Sequence, residues 1–248
     1  MIILLVLYAI CGWLAGVAIN HLADVLPTRK TVFQKPFCLA CETERPQQQW
    51  SALVAWATKQ QSCVMCETPR STFKRAVITE LTVPVFFVFL MGRYGPSLEL
   101  TLVTIYTFIL ILVTVTDLEH RLIFNIVILP SILFAMVAAF FTPNMAWPAA
   151  YVGGVGAFVV VYVVALLSRG GLGEGDVTLS TFLGFILAFP KIILSITFGV
   201  FLGGIVAVIL LVSGKVNLKT FIPYGPFLTI TGWIMLIWGD EIWQYFFW

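Results

Sequence analysis

Charge and histidine are what this sequence has least of. Only 10% of its 248 residues are Asp, Glu, Lys or Arg, where a soluble domain carries roughly 25%. Hydrophobic residues make up 60%, which excludes an ordinary soluble globular domain. The formal net charge of +2 is uninformative about partners, and no nucleic-acid partner is expected. His21 and His120 are the only histidines. No Ser-His-Asp set can be assembled from them, and each reads as an interfacial residue. The N-terminal apolar segment lacks a basic n-region and a small-residue cleavage site, so it reads as a spanning helix and not a cleaved signal. The chain also has no Rossmann-type pattern and no evident inverted repeat.

What is present is a series of apolar runs, at about 1–22, 76–92, 98–116, 122–141, 148–168, 176–189, 191–213 and 221–238. The sixth is short for a roughly 30 Å hydrocarbon core. Helices satisfy their own backbone polar groups in lipid. The expected fold class is therefore an all-α polytopic membrane protein of about eight transmembrane helices.

Charge placement sets an orientation. The stretch between the first two segments holds Arg29, Lys30, Lys35, Arg45, Lys59, Arg70, Lys74 and Arg75, and Arg121, Arg169, Lys215 and Lys219 follow segments three, five and seven. Only Arg93 and Lys191 fall on the opposite side. The positive-inside rule puts the basic loops in the cytoplasm. Both termini are then outside, with Asp240, Glu241 and an aromatic tail (Trp243, Tyr245, Phe246, Phe247, Trp248) at the outer interface. Three domains are expected: a first transmembrane helix over 1–26, a cytoplasmic zinc-binding insert with four cysteines over 27–75, and a membrane domain of about seven helices over 76–248.

The insert carries Cys38-Leu39-Ala40-Cys41 and Cys63-Val64-Met65-Cys66. Two Cys-x-x-Cys knuckles are metal-ligand spacing, and four thiolates suit tetrahedral zinc. Disulfides are rare in a cytoplasmic loop, and about 50 residues gain from a metal staple. Four protein ligands leave no open position, so the zinc is read as structural. Cys11 reads as a small core residue.

Two aspartates stand out. Asp117 ends the run VTIYTFILILVTVTD, and Asp176 closes the turn Gly173-Glu174-Gly175-Asp176. The charge count places both on the cytoplasmic side. Either could be an ordinary solvated or capping Asp. As a pair, however, two carboxylates sharing one proton can hydrolyse an amide, one taking a proton from water and the other donating to the carbonyl. The turn lacks the Lys and Ser/Thr of a phosphate loop. Glu119 and Glu174 beside them have an alternative reading as loop charges.

In order along the chain, several motifs resemble those of the type IV prepilin leader peptidases, a family of GxGD membrane aspartyl proteases. They are Gly16, Asn20, Leu26 and Pro27; the four cysteines; Arg75, Glu80 and Leu81; Asp117 through Asn125 with Pro130 downstream; Gly173-Glu174-Gly175-Asp176; and Ile222-Pro223-Tyr224-Gly225-Pro226-Phe227-Leu228. The resemblance implies Asp117 and Asp176 as the catalytic pair, on a turn supported by Gly173 and Gly175. It further implies cleavage of the basic leader of prepilins or pseudopilins at the bacterial inner membrane. With the Cys-bearing insert present, it also implies methylation of the new N-terminus using S-adenosylmethionine. Glu80 and Glu174 are candidate contacts for the basic leader, with pairing to Arg75 as the alternative for Glu80. Two departures stand out: Ile123-Phe124-Asn125 replaces the family's Leu-Pro-Asp, and Val25 stands where a basic residue is usual. A transporter or channel, or a non-catalytic assembly subunit, remains as the competing class.

Overall fold

The computed structural model describes all residues except 1, 29, 30, 32, 169–171, 216, 218–222 and 248. Arg29, Lys30, Arg169, Lys219, Ile222 and Trp248, used above, therefore lie outside the described residues. Nine α-helices are described: α1 (Ile2–Val25), α2 (Ala52–Ala57), α3 (Phe73–Tyr94), α4 (Leu98–His120), α5 (Asn125–Ala138), α6 (Trp147–Leu167), α7 (Glu174–Leu187), α8 (Lys191–Val212) and α9 (Gly225–Phe247). All but α2 coincide with the eight apolar segments. Among the described residues, β structure is confined to the isolated bridges Phe37–Glu44 and Ser62–Pro69 in the insert.

Five helices (α1, α3, α4, α6 and α8) are long and apolar enough to cross a membrane, and the chain is a multi-pass membrane protein. The count of eight spans is approximate. Helices α5 and α7 have 14 residues each, about 21 Å at 1.5 Å per residue, well short of a bilayer core. Helix α9 runs 23 residues and takes in Asp240, Glu241, Trp243, Tyr245, Phe246 and Phe247, all beyond the last apolar segment marked from the sequence.

The chain forms two compact units, Met1–Thr104 and Ile105–Trp248. In the first, α1 packs along α3 around Ile19, Ala23, Val83, Phe87 and Leu90, all buried. Without a hydrophobic driving force in lipid, helices associate by close packing of small residues. A Cβ at Gly16 would lie 3.1 Å from Glu80 Cα, and this approach brings Asn20 of α1 onto Glu80 of α3. Cys11, expected in the core, is exposed on α1, a site where lipid can cover it.

In the second unit α7 is the central helix. Its residues from Asp176 to Leu187 are buried almost without interruption, and it packs against α5, α6 and α9. Gly153 of α6 meets Gly184 of α7 backbone to backbone, a Cβ at Gly153 falling 2.6 Å from the Gly184 carbonyl oxygen. Large side chains such as Val159, Val160, Phe201 and Val208 point outward from α6 and α8, as expected of a surface solvated by acyl chains.

Candidate active site

Asp117 lies in the last turn of α4 and is 5% exposed; Asp176 lies in the first turn of α7 and is 6% exposed. Both were read from sequence as residues at helix ends, where water usually reaches. The second unit folds over those ends and removes them from solvent. They are close enough for the charge on one to be felt by the other.

The local sequence explains each position. Gly173 precedes α7 in extended conformation, its N–H donates to Asp176 Oδ2 at 3.2 Å, and the Asp176 N–H donates back to the Gly173 carbonyl at 3.1 Å. Asp176 thus caps its own helix, where an acidic residue is favoured by the orphan amides and the helix dipole. On the other side, Arg121 ends α4 in left-handed conformation (φ 54°), with its N–H donating to the Asp117 carbonyl at 2.9 Å. This is a left-handed helix stop on a residue other than glycine. The turn sends Ile123 back toward the site, where it packs against both glycine-bearing turns. A Cβ at Gly175 would lie 2.8 Å from Ile123 Cβ, and one at Gly225 would lie 3.4 Å from Ile123 Cδ1. The first position that departs from the family's Leu-Pro-Asp is therefore in the wall of the aspartate site. Gly173 and Gly175 both lie in the turn that carries Asp176, and Glu174 between them is exposed. His120 is exposed beside Glu119, at 3.8 Å.

One participant is missing from the sequence reading. The backbone amide of Gly225 faces the Asp117 carboxyl, and a Cβ at Gly225 would lie only 2.6 Å from Asp117 Oδ2. The Pro-Tyr-Gly-Pro motif signalled a turn, but not which side chain the turn would meet.

The four cysteines of the insert converge, their sulfurs all within 4.8 Å of one another. Cys38 and Cys66 Sγ are 3.8 Å apart, and Cys41 and Cys63 Sγ 3.5 Å. Four sulfurs about 2.3 Å from a tetrahedral metal would be about 3.8 Å from each other, so the set fits a metal ion. Each knuckle closes identically: the Glu42 N–H donates to the Cys38 carbonyl and the Glu67 N–H to the Cys63 carbonyl, with Glu42 and Glu67 both at positive φ. The Cys66 and Met65 amides, facing the Cys63 sulfur, lower its thiol from 9.0 to about 5, favouring the ligating thiolate.

Glu80 is 1% exposed and its carboxylate is occupied. Oε2 accepts from Ser51 Oγ (2.5 Å) and the Leu53 N–H (3.1 Å); Oε1 accepts from the Ala52 N–H (2.7 Å) and Asn20 Nδ2 (3.3 Å). It caps α2 and ties the insert to α1 and α3. The Arg75 guanidinium meets Asp24, which also receives Arg70 Nη2 at 3.3 Å. Burial lowers the Arg70 guanidinium to about 10. Asp24 is not singled out in the sequence because it sits as the penultimate residue of a long apolar helix.

The profile of the type IV leader peptidase family matches residues 104–208. Three relatives carry the name prepilin leader peptidase/N-methyltransferase. That of Bacillus subtilis (strain 168) is 28% identical over 150 residues, covering 60% of this chain and 60% of the relative. That of Pseudomonas putida is 30% identical, covering 60% of this chain and 54% of the relative. That of Pseudomonas aeruginosa is 26% identical over 220 residues, covering 87% and 75%. The chain thus spans less than two thirds of the length of the first two. No solved structure matches the chain significantly. Residues 104–208, the stretch that carries both Asp117 and Asp176, are similar to the type IV leader peptidase family.

Proposed function

We propose that this protein is a membrane aspartyl endopeptidase that removes the short basic leader of type IV prepilins or pseudopilins at the cytoplasmic face of the bacterial inner membrane. The observation that carries this is the pair Asp117 and Asp176, buried in one unit within electrostatic reach of each other, in a stretch similar to the type IV leader peptidase family. With one carboxyl ionised and the other protonated, the first takes a proton from water as the water attacks the scissile carbonyl. The second donates to the carbonyl oxygen, and later protonation of the amine releases the leader. Burial favours this sharing of one proton, because two adjacent charges in a poorly solvated site repel. Glu174, exposed at the start of α7 beside Asp176, is placed to attract a basic leader. For Glu80, the four donors on its carboxylate support a structural role over contact with substrate.

In this reading both termini face outward and residues 76–248 form the protease domain. The insert of 27–75 is held by structural zinc on Cys38, Cys41, Cys63 and Cys66. When bound, zinc would supply a rigid cross-link between the two knuckles. We extend the proposal to N-methylation of the new N-terminus with S-adenosylmethionine, in line with the relatives' two-activity names. The protein has three cavities to set beside that cofactor. Those lined by Val152, Val160, Ile192 and Ile196, and by Leu4, Tyr8, Met91 and Leu98, are largely apolar, and the polar one among Arg45, Gln49, Gln61 and Arg70 measures about 20 Å³, scarcely more than one water. None of the three fits a charged nucleoside–amino acid.

A channel or transporter is disfavoured, since the two carboxylates sit at helix ends and not mid-span. The test is incubation of the purified chain in lipid with a prepilin. Leader loss supports the reading; ion flux through liposomes with no proteolysis contradicts it. Mass spectrometry of the mature pilin N-terminus checks methylation, which an unmodified amine in the presence of S-adenosylmethionine would exclude.

A further inference from the structure

Each aspartate of the pair meets a helix N-terminus, but not in the same way. Asp176 is served by its own helix, through the Gly173 amide three residues earlier. Asp117, at the C-terminal end of α4, cannot be served by its own helix, whose end presents carbonyls. What faces it is the start of α9.

The first turn of α9 has few amides to offer. Pro226 has no N–H. The Phe227 and Leu228 amides both donate to the Tyr224 carbonyl, at 3.1 and 3.3 Å. The remaining donor is the Gly225 N–H, which lies beside the Asp117 carboxyl. Asp117 Oδ2 is buried and has no hydrogen-bond partner among the described residues. The approach is tight: a Cβ at residue 225 would stand 2.6 Å from Oδ2 and 3.1 Å from Cγ. The Tyr224 ring fixes this turn against α8, where a Cβ at Gly203 would be 3.3 Å from its ring edge and one at Gly199 would be 3.5 Å from its hydroxyl.

We propose that Gly225 is a positioning residue for Asp117: its N–H, presented by the start of α9 and braced through Tyr224, sets the orientation of the carboxyl, and its missing side chain leaves the space the carboxyl occupies. Asp117 therefore depends on a turn 108 residues away in the chain, while the amide that serves Asp176 comes from its own turn. The inference rests on the peptidase reading. An amide hydrogen bond to an ionised group is one of the stronger neutral-donor interactions, and a carboxyl that loses its fixed direction loses rate before it loses substrate binding.

The experiment uses the full chain in lipid nanodiscs with a prepilin substrate. Replacing Gly225 by glycolic acid through nonsense suppression exchanges the N–H for an ester oxygen and adds no side chain. We expect kcat to fall about tenfold or more with KM within twofold of wild type. Gly225→Ala, which keeps the N–H but displaces the carboxyl, should give the same split. Gly232→Ala is the packing control on the same helix, since its Cβ would press on the Leu183 side chain instead; its kcat should stay within threefold. A glycolate variant that keeps wild-type kcat overturns the inference. So does a Gly232→Ala protein whose kcat falls as far as that of Gly225→Ala. If Asp117→Asn cleaves at the wild-type rate, the peptidase reading fails and takes the inference with it. If Asp117→Asn is inactive while the glycolate variant is unaffected, the inference alone fails.

Discussion

Gly175 and Ile123 are packed so closely that a Cβ on the glycine would lie 2.8 Å from the Cβ of the isoleucine. The neighbouring atom is fixed by its own backbone, so no rotamer change can relieve the contact. Gly175→Ala must therefore push apart the turn that holds Asp176 and the link that follows Asp117. We expect at least a tenfold loss of prepilin cleavage, with destabilisation of about 1–3 kcal/mol from overpacking. Steady-state kinetics and chemical denaturation in detergent check both figures. Unchanged kinetics would mean that the turn is not part of the site.

Much of this was legible in the sequence, and the limit is a physical one. The two knuckles, the Gly173–Asp176 turn and eight apolar helices are local patterns, and local patterns survive folding. Contacts between distant segments are not local. Nothing at Gly225 says that its amide faces Asp117, and nothing at Glu80 says that Ser51, Ala52, Leu53 and Asn20 donate to its carboxylate. Burial is hidden in the sequence for the same reason: an Asp at the end of an apolar run looks solvated until another helix covers it. The short α5 was also hidden. Its apolar run begins at Leu122, but the helix begins at Asn125, because the left-handed stop at Arg121 and the extended link to Phe124 use the intervening residues.

Glu80→Gln tests the structural role of that carboxylate. The charge-assisted bonds from Ser51 and the start of α2 would weaken, and an amide NH₂ would replace one acceptor. The expected cost is about 1.5–3 kcal/mol. Limited proteolysis should then cut faster near Ala52–Ala57. Unchanged stability with a raised KM would instead identify Glu80 as a contact for the basic leader.

Asp24→Ala removes the carboxylate shared by Arg70 and Arg75, both largely buried. Deleting one side of a buried charge cluster costs about 3–5 kcal/mol. Denaturation in detergent should show a loss of that order. Asp24→Ala at wild-type stability would show that the cluster contributes little.

The cysteine set predicts one metal per chain by elemental analysis. Cys38→Ser should lower the metal content to near zero and make the insert more sensitive to protease, as expected of a structural site. A wild-type protein purified without chelator and carrying no metal would contradict the zinc reading.

The most direct test of the central claim is prepilin cleavage by the wild-type chain, Asp117→Asn and Asp176→Asn, each reconstituted in lipid and checked for folding. The account predicts leader loss with the wild type and a drop in kcat of at least a thousandfold in each variant, on the order of what removing an essential acid or base costs. Cleavage at the wild-type rate by either variant would contradict it.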